Sequence, residues 1–454
     1  MKIKAVILAA GKGTRMKSSR AKVLHKIFDR ALIEYPIQVV KELGADVCLV
    51  VGYMEDDVKK TIGDQVQYRV QEEQLGTGHA VMQAIDFMDD SDLVLILYGD
   101  TPLITTQTLQ ELINYHLKHH SDGTALSTKI ENPFGYGRIV RNGFNEVEKI
   151  VEERDADKNQ KRITEINGGM YVFNTSKLLS ALHQLDNNNS QNEYYFTDVL
   201  KIILAEDGKI DAFMIKDSTQ ILGVNSKVQL AEAASIMKMR INNQHMLNGV
   251  IIEDPLNTYI EPDVEIGIDT VIEPSCVIKS NTKIGAECRI GFNTKITNSI
   301  LEDNVDVESS VIVDSKIGQN THIGPFAYIR PNNNIGSNVK IGDFVELKNS
   351  NIGSGTKISH LTYVGDADVG QNVNFGCGTV LVNYDGKNKY RSEIQDNVFI
   401  GCNSNLVSPV VLHEHSYIAA GSTITKDVPE NTLAIARSKQ ENKEGRAKNR
   451  NSKS

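Results

Sequence analysis

The feature that most constrains the fold is a six-residue repeat that fills the second half of the chain. One aliphatic residue returns at every sixth position in three runs. These are Ile260, Ile266, Ile272, Ile278, Ile284, Ile290 and Ile296; Ile317, Ile323, Ile329, Ile335, Ile341 and Leu347; and Ile394, Ile400, Leu406, Leu412, Ile418 and Ile424. Neither a helix nor a single strand has this period. We therefore predict a left-handed parallel β-helix, with three short strands per turn and one aliphatic residue pointing inward from each side.

Two segments interrupt the hexads. The register slips between about 297 and 316, and residues 383–390 form the polar sequence Asn-Tyr-Asp-Gly-Lys-Asn-Lys-Tyr. A segment this polar cannot form one side of a coil, so we predict a loop that leaves the β-helix. Loops held by a rigid scaffold are common places for binding and catalytic residues.

The first half of the chain has a different pattern. Short apolar runs at 5–10, 47–51 and 93–98 alternate with helical spacing at 31–43 and 78–88. Near-continuous apolar runs are typical of strands covered on both faces, and their alternation with helices predicts a mostly parallel sheet in a Rossmann-like α/β domain. Ligands of such sheets bind beyond the carboxyl ends of the strands.

These patterns divide the chain into four predicted segments. They are an α/β domain over 1–226, a linker helix over 227–247, a hexapeptide-repeat domain over 248–437 and a flexible basic tail over 438–454. The linker prediction depends on Leu230, Ala234, Met237 and Ile241, which recur at helical spacing.

Composition excludes several classes of function. The formal net charge is −9, which argues against a nucleic-acid partner. Five cysteines without a Cys-x-x-Cys pair indicate reduced thiols in a cytoplasmic protein. No apolar run approaches the roughly 20 residues that a membrane span requires, so we expect no membrane partner.

Two motifs of the first half lie where strands end. A glycine-rich turn with Gly11, Gly13 and Arg15 follows the first strand, and Asp100 comes two positions after the run at 93–98. Such a turn brings backbone amides and cationic side chains to phosphates, although a bare Gly-x-Gly is as often only a turn. Asp100 alone is equally compatible with a helix cap and a Mg²⁺ ligand. The presence of both motifs favours a phosphate and metal site.

The first half resembles the sugar-1-phosphate nucleotidyltransferases. The resemblance depends on the motifs at 8–16, 71–78, 98–100, 135–138 and 223–225, which follow in the family's order. It implies that the uracil nucleotide contacts Leu8, Ala9, Ala10, Gly11, Gln71, Gly76 and Thr77, with Lys22 on its phosphates. It also implies sugar contacts from Gly137, Glu152 and Asn167, a place in the same site for Tyr98, and Mg²⁺ held by Asp100 and Asn225. Arg15 and Lys22 would neutralise charge during catalysis.

The repeat contains one cluster of candidate catalytic residues. Arg330 and Lys348 precede His360 by 30 and 12 residues, both multiples of six, so the three can occupy related positions of the coil. A lone histidine in such a repeat is more often a solvated corner residue. The two cations at related positions change this balance and favour a functional site.

With both halves, the chain resembles the bacterial family of bifunctional uridyltransferase/acetyltransferases. The resemblance implies that His360 is the general base for acetyl transfer and that Arg330 and Lys348 grip the substrate phosphate. The other implied contacts of substrate and acetyl-CoA are Tyr363, Asn374, Asn383, Tyr384, Ala420 and Arg437. Cys377 and Cys402 stand near the thioester where the family often has alanine and serine. We expect them to pack as small residues, because direct attack by an amine needs no covalent cysteine.

The expected function is a pair of successive reactions. Acetyl-CoA acetylates glucosamine-1-phosphate in the second half, and UTP then converts N-acetylglucosamine-1-phosphate to UDP-N-acetylglucosamine in the first half, supplying precursors of peptidoglycan and lipopolysaccharide. Mg²⁺ is the expected cofactor, and the family implies a homotrimer. The alternatives are a monofunctional nucleotidyltransferase with a structural β-helix and a noncatalytic trimeric scaffold.

Overall fold

The computed structural model describes residues 1–189 and 191–447. It divides into two compact units, Met1–Met237 and a second unit that begins at Lys238. The last seven residues of the predicted basic tail, 448–454, lie outside the described residues. Among the described residues, no helix is both long and apolar enough to cross a membrane.

Over residues 1–189 and 191–237, the first unit contains eleven strands and seven helices that lie wholly within it. The strands are β1 (Ile3–Leu8), β2 (Lys26–Ile27), β3 (Arg30–Ala31), β4 (Asp46–Val51), β5 (Gln67–Val70), β6 (Leu93–Tyr98), β7 (Gly123–Lys129), β8 (Arg138–Arg141), β9 (Val147–Val151), β10 (Glu165–Asn174) and β11 (Ile210–Met214). The helices are α1 (Glu34–Glu42), α2 (Glu55–Ile62), α3 (Thr77–Met82), α4 (Ile85–Met88), α5 (Thr106–His119), α6 (Thr175–Leu182) and α7 (Asp198–Ala205). Short 3₁₀ turns lie at Thr14–Met16, Lys22–Leu24, Gly63–Gln65, Gln160–Arg162 and Ser218–Ile221.

The main sheet has the order β11-β7-β10-β6-β1-β4-β5, and β8 and β9 extend it beside β10. Every strand of this path runs in one direction except β10, which pairs antiparallel with β6 and β7. Two apolar clusters, one on each side of the sheet, bury the alternate side chains of β1: Ala5 and Ile7 lie in one, Val6 and Leu8 in the other. The predicted mostly parallel α/β fold is confirmed, and the carboxyl ends of β1, β4 and β6 meet at one edge.

Helix α8 (Lys227–Leu247) contains the division between the two units. Its first half contributes Ala233 to a cluster with Leu32 and Val224 in the first unit. In its second half, the Asn242 amide donates to the carbonyls of Pro255 and Thr258, at 2.9 and 3.0 Å. Each half is therefore anchored by its own set of contacts.

The second unit is a parallel β-helix with three sheets, here called faces 1, 2 and 3. Face 1 contains Ile251–Ile252, Val271–Ile272, Arg289–Ile290, Asp306–Val307, His322–Ile323, Lys340–Asp343, Lys357–His360, Asn374–Phe375, Phe399–Ile400, Tyr417–Ile418 and Leu433–Ala434. Face 2 contains Tyr259–Ile260, Val277–Lys279, Lys295–Thr297, Val311–Val313, Tyr328–Ile329, Glu346–Lys348, Tyr363–Gly365, Val380–Val382, Asn405–Val407 and Thr423–Ile424. Face 3 contains Glu265–Ile266, Lys283–Ile284, Ile300–Leu301, Ser315–Ile317, Asn333–Ile335, Asn351–Ile352, Ala367–Val369, Ser392–Ile394 and Val411–Leu412.

The hexad aliphatics form the core of this unit. Ile260, Ile278 and Ile296 of face 2 stack in register on successive coils and are fully buried. Each such side chain contributes about 1.5–3 kcal/mol relative to exposure. The predicted slip near 297–316 is a shortened turn, because Leu301 pairs with Ile317 only 16 positions later. Residues 383–390 leave the coil as a loop, closed by an antiparallel bridge between Tyr384 and Lys389.

Candidate active sites

A cavity of about 340 Å³ lies at the carboxyl ends of β1 and β6. This volume is within the range of small-molecule sites. Ten of the predicted ligand residues line it: Leu8, Ala9, Ala10, Gly11, Lys22, Gln71, Gly76, Thr77, Tyr98 and Asp100. Val23, Gln74, Ala80 and Glu193 complete the wall and were not predicted. Motifs separated by up to about 90 positions therefore converge because parallel strands end at the same edge of the sheet.

Gln71 is oriented by its own surroundings. It is buried, and its amide nitrogen donates to the Gly76 carbonyl at 3.0 Å and lies 3.1 Å from His79 Nδ1. Its Oε1 has no hydrogen-bond partner within residues 1–189 and 191–447. Gly76 has a φ of +112°, and a Cβ there would lie 2.6 Å from the Tyr194 carbonyl, so this turn requires glycine. The turn thus presents one fixed acceptor, Gln71 Oε1.

A charged cluster lies at the cavity wall. Lys22 Nζ forms an ion pair with Asp100 Oδ2 and donates to Asn225 Oδ1 at 3.1 Å. Arg15 also donates to Asn225 Oδ1, at 2.9 Å. The Asp100 and Asn225 oxygens therefore converge on one cation, here the Lys22 ammonium. The structure places all four predicted charge-handling residues together.

This donor pair fits a magnesium ion that also binds substrate phosphates. No group of three or more His, Cys, Asp or Glu side chains suited to a metal occurs among the described residues. Mg²⁺, however, is commonly held by only one or two carboxylates, with phosphate oxygens and waters as the remaining ligands. Asp100 and Asn225 supply one carboxylate and one amide oxygen that already meet at a single positive charge.

The predicted sugar-binding residues form a second group. A Cβ on Gly137 would lie 3.5 Å from Asn167 Cβ and 3.6 Å from Glu152 Oε1, so the three are neighbours. Burial raises the pKa of Glu152, although the Thr197 hydroxyl donates to its Oε1 at 3.2 Å. Burial first, and the nearby carboxylates of Glu152 and Asp100 next, raise the pKa of Tyr98. Tyr98 thus lies between the predicted sugar-binding residues and the charged cluster, and its hydroxyl stays neutral.

In the β-helix, three cations meet on face 2 and the adjoining loop. Arg330 and Lys348 occupy the same register position of adjacent coils, since Ile329 pairs with Leu347. Lys389, from the loop at 383–390, lies against Lys348. The close approach of the Lys348 ammonium and its repulsion, with smaller contributions from burial and Arg330, lower the pKa of Lys389, and Asp366 partly opposes this shift. Glu346 accepts from Arg330 at 2.7 Å and raises its pKa.

Asp366 is the carboxylate that binds the side chains around this cationic cluster. Its carboxylate accepts from Asn349 and Asn383, both at 2.6 Å, and from Lys348 at 3.3 Å. Burial opposes ionisation, but these hydrogen bonds and the Lys348 charge hold the pKa of Asp366 below its ordinary value. Asn383 also lies 3.5 Å from the Tyr363 hydroxyl, whereas Tyr384 is exposed and donates to Gly386.

The remaining predicted acetyl-site residues follow one corner of the β-helix. Gly378 N donates to the His360 carbonyl, Asn403 N to the Cys377 carbonyl and Gly421 N to the Cys402 carbonyl. His360, Cys377 and Cys402 therefore lie on successive coils. Arg437 packs against Gly421, beside Ala420. We call the set His360, Cys377, Cys402 and Ala420 the corner column. Asn374 lies outside this column. It is in register with Lys357, at the end of the strand opposite to His360.

Sequence reasoning missed several residues of both sites. Glu193 and Thr197 follow a polar asparagine run without a motif, and only the folded chain brings them to the cavity and to Glu152. Lys389 lies in the loop at 383–390, which the interruption of the hexads predicted. Asp366, three positions after Tyr363, ends the same motif, so its place in the sequence was a usable signal. Among the described residues, no hydrogen bond joins His360 to the cationic cluster.

Fold and site geometry together define a nucleotidyltransferase domain joined to a hexapeptide-repeat transferase domain. The nucleotidyl transferase family matches residues 4–222, and bacterial transferase hexapeptide repeats match 314–349 and 391–426. A further match, to the GMPPB C-terminal domain, covers 256–330.

Relatives with both domains cover nearly the whole chain. Proteins named bifunctional protein GlmU are 55% identical in Acetivibrio thermocellus, over 97% of this chain and 96% of that protein, and 51% identical in Clostridioides difficile, over 100% and 99%. The one from Thermoanaerobacter pseudethanolicus is 55% identical over 97% and 96%. The chain belongs to the bifunctional GlmU family. It is an enzyme of UDP-N-acetylglucosamine biosynthesis with nucleotidyltransferase and acetyltransferase activities.

Proposed function

We propose that the cavity of the first unit binds UTP and N-acetylglucosamine-1-phosphate through the residues that line it. The uracil lies against Leu8, Ala9 and Ala10, with its N3–H donated to Gln71 Oε1, the one acceptor that the turn leaves free. Gly137, Glu152 and Asn167 receive the sugar. The observation that carries this proposal is that Lys22 and Asp100 pair at the wall of this cavity, with Asn225 accepting from the same Lys22 ammonium.

The reaction requires two anions to approach each other. The sugar-phosphate oxygen attacks the α-phosphorus of UTP in line, the bond to the β-phosphate oxygen breaks, and pyrophosphate leaves with its electron pair. Arg15 and Lys22 neutralise the phosphates, so they lower the repulsion between substrates and the charge that develops in the transition state. Asp100 and Asn225 would hold Mg²⁺, which supplies additional positive charge when bound.

The second unit binds glucosamine-1-phosphate at the cationic cluster. Three positive side chains, Arg330, Lys348 and Lys389, converge there, and a phosphate dianion relieves their mutual repulsion. Tyr363, Asn374, Asn383 and Tyr384 are the proposed sugar and acetyl contacts. His360 takes a proton from the attacking amine as general base.

Acetyl-CoA follows the corner column. Neighbouring coils are separated by about 4.8 Å, so the three steps from Ala420 to His360 span roughly 14 Å. That length accommodates an extended pantetheine chain with the thioester beside Cys377 and His360. Arg437 then lies near the phosphate-bearing end of coenzyme A, where a cation is favourable.

Replacing Lys389 with glutamine tests the phosphate site. The change removes one of three cations, and we expect the KM for glucosamine-1-phosphate to rise about tenfold, since a hydrogen bond to a charged group contributes about 1.5 kcal/mol. The KM for acetyl-CoA should stay unchanged in the same steady-state assay. Lys387→Gln, in the same loop, is the matched control. An unchanged KM in Lys389→Gln would contradict the assignment of Lys389.

A homotrimer is supported by an apolar corner beside His360. Phe326, Phe344 and Leu361 are 57–59% exposed and have φ values of +60°, +55° and +47°. The left-handed conformation costs about 1–2 kcal/mol for such residues, and asparagine, glycine or serine occupies this corner in other coils. On three successive coils, the exposure of an apolar side chain and the left-handed backbone are both unfavourable. Both costs are offset if another copy of the chain covers the corner. We propose that the acetyl-transfer site lies at this seam between subunits.

Phe326→Asp should separate assembly from nucleotidyl transfer. Aspartate tolerates the left-handed conformation better than phenylalanine, but its charge opposes burial at a subunit contact. We expect sedimentation to show a monomer that loses acetyl transfer and retains uridylyl transfer. Asn293→Asp places the same charge at the same corner two coils earlier and should remain assembled. A trimeric Phe326→Asp with full acetyl transfer would refute the seam.

We further propose a cytoplasmic location and a division of the two activities between the two domains. All five cysteines are free, and both co-substrates are cytoplasmic metabolites, which supports a cytoplasmic enzyme. We assign uridylyl transfer to 1–226, the connection to the helix at 227–247 and acetyl transfer to 248–437. The product then supplies the synthesis of peptidoglycan and lipopolysaccharide.

A further inference from the structure

Asp343 and His360 form a hydrogen-bonded pair on face 1. They occupy the same register position of adjacent coils, and Asp343 Oδ1 lies 2.5 Å from His360 Nδ1. The register places one side chain directly beside the other. The side chains are 37% and 56% exposed, so both remain accessible from solvent in the single chain.

This contact determines which nitrogen of the imidazole carries the proton. An ionised carboxylate only accepts hydrogen bonds, so Nδ1–H is the donor and the neutral ring has its lone pair on Nε2. The hydrogen bond from His360 lowers the pKa of Asp343, which keeps the carboxylate charged. Nε2 has no hydrogen-bond partner in the part of the chain that the structure describes, so it is free to accept a proton from a substrate.

We propose that Asp343 is a positioning residue for acetyl transfer, which fixes the orientation and tautomer of His360 and stabilises its protonated form. The inference depends on the proposed role of His360 as base. In that step the amine nitrogen forms the bond to the acetyl carbon and its proton passes to Nε2. The C–S bond breaks, and the coenzyme A thiolate leaves with the electron pair and recovers a proton from the imidazolium. Asp343 acts while the imidazolium carries charge.

Few other charges bear on this histidine. On the two strands concerned, Lys340 and Lys357 form their own register pair three positions earlier. On the other side, the Cys377 thiol of the corner column is the titratable group in register with His360, and the strand Asn374–Phe375 before it contains none. Leu361 and Thr362 follow His360 at the corner. Asp343 is therefore the carboxylate that contacts the ring directly.

The chain contains a matched control pair. Asp306 and His322 also stack in register on face 1, with Oδ2 and Nδ1 3.1 Å apart. They lie on coils before the Asp343–His360 pair, away from the corner column. Replacing Asp306 with asparagine removes the same kind of contact without touching the proposed site.

The test compares Asp343→Asn and Asp306→Asn in the full chain, with acetyl transfer measured across pH and uridylyl transfer as the internal control. We expect Asp343→Asn to lower kcat for acetyl transfer about tenfold, with little change in either KM. The pH dependence of kcat/KM for acetyl transfer should differ from that of the unaltered enzyme in Asp343→Asn and not in Asp306→Asn. Asp306→Asn and all uridylyl rates should match the unaltered enzyme, and Asp343→Glu should recover part of the loss.

Two results would overturn the proposal in distinguishable ways. If His360→Ala abolishes acetyl transfer but Asp343→Asn has an unaltered kcat and pH profile, the role of Asp343 is wrong and that of His360 stands. If His360→Ala retains acetyl transfer, the proposed base itself is wrong. A fall in kcat together with a rise in KM that Asp343→Glu does not relieve would indicate only structural damage and would also reject the positioning role.

Discussion

Replacing Asp100 with asparagine should reduce uridylyl transfer by about 1,000-fold and leave acetyl transfer unchanged. Asp100 pairs with Lys22 at the cavity wall and shares that cation with Asn225. The substitution removes the only carboxylate of the proposed Mg²⁺ ligand pair, while the amide oxygen still accepts from Lys22. Rates measured at several Mg²⁺ concentrations should show that added metal does not restore activity.

Two controls accompany this prediction. Asp89→Asn changes an exposed aspartate of the same unit and should have no effect on either reaction. Chelation of divalent metal should stop uridylyl transfer and spare acetyl transfer, whose proposed chemistry uses His360. Near-normal uridylyl transfer by Asp100→Asn at saturating Mg²⁺ would reject the assignment of Asp100.

Replacing His360 with alanine should have the opposite effect. We expect acetyl transfer to fall by about 1,000-fold, the range of a lost general base, and uridylyl transfer to continue at the original rate. His360 is exposed at a corner, so the substitution leaves no buried group unsatisfied and should not alter the free energy of unfolding measurably. His322→Ala, on the same face, is the matched control.

The cysteines beside His360 permit one check on the mechanism. Cys377 and Cys402 occupy the next two coils of the corner column. If acetyl transfer passes directly from thioester to amine, a Cys377→Ala, Cys402→Ser double variant should retain it. A loss comparable to that of His360→Ala would instead indicate an acyl-cysteine intermediate and contradict direct attack.

The fold was largely predictable because its signals are local and periodic. The hexad positions predicted which aliphatics point inward, and the buried register column of Ile260, Ile278 and Ile296 confirms this. The apolar runs at 5–10, 47–51 and 93–98 are three neighbouring strands of one sheet. The antiparallel strand β10 was not predicted, since strand direction depends on tertiary pairing rather than on local pattern.

The sites were less predictable, and the difference follows from how the residues reach them. Tyr98 is the last residue of a strand, and Gln71 and Asp100 follow strand ends. A sequence motif and a parallel sheet therefore suffice to bring them together. Glu193 and Thr197 arrive through long connections with no periodic signal. Asp343 appears only once the coil register is known, because turns of 16, 17 and 18 residues occur and a fixed period of 18 does not pair it with His360.

The two sites belong to separate units, so each activity should respond only to changes in its own unit. This separation distinguishes the enzyme from both alternatives considered from the sequence. A noncatalytic scaffold is wrong for this family, and a monofunctional nucleotidyltransferase would not need three converging cations and a histidine with a free Nε2 at the β-helix corner.

The most direct test of two active sites on one chain is the release of coenzyme A thiol from acetyl-CoA with glucosamine-1-phosphate as acceptor, on the purified protein without UTP. We predict thiol release that matches the N-acetylglucosamine-1-phosphate formed and that disappears in His360→Ala but not in Asp100→Asn. A folded, purified protein that releases no thiol, or one whose release depends on Asp100, would contradict an independent acetyltransferase site in the β-helix.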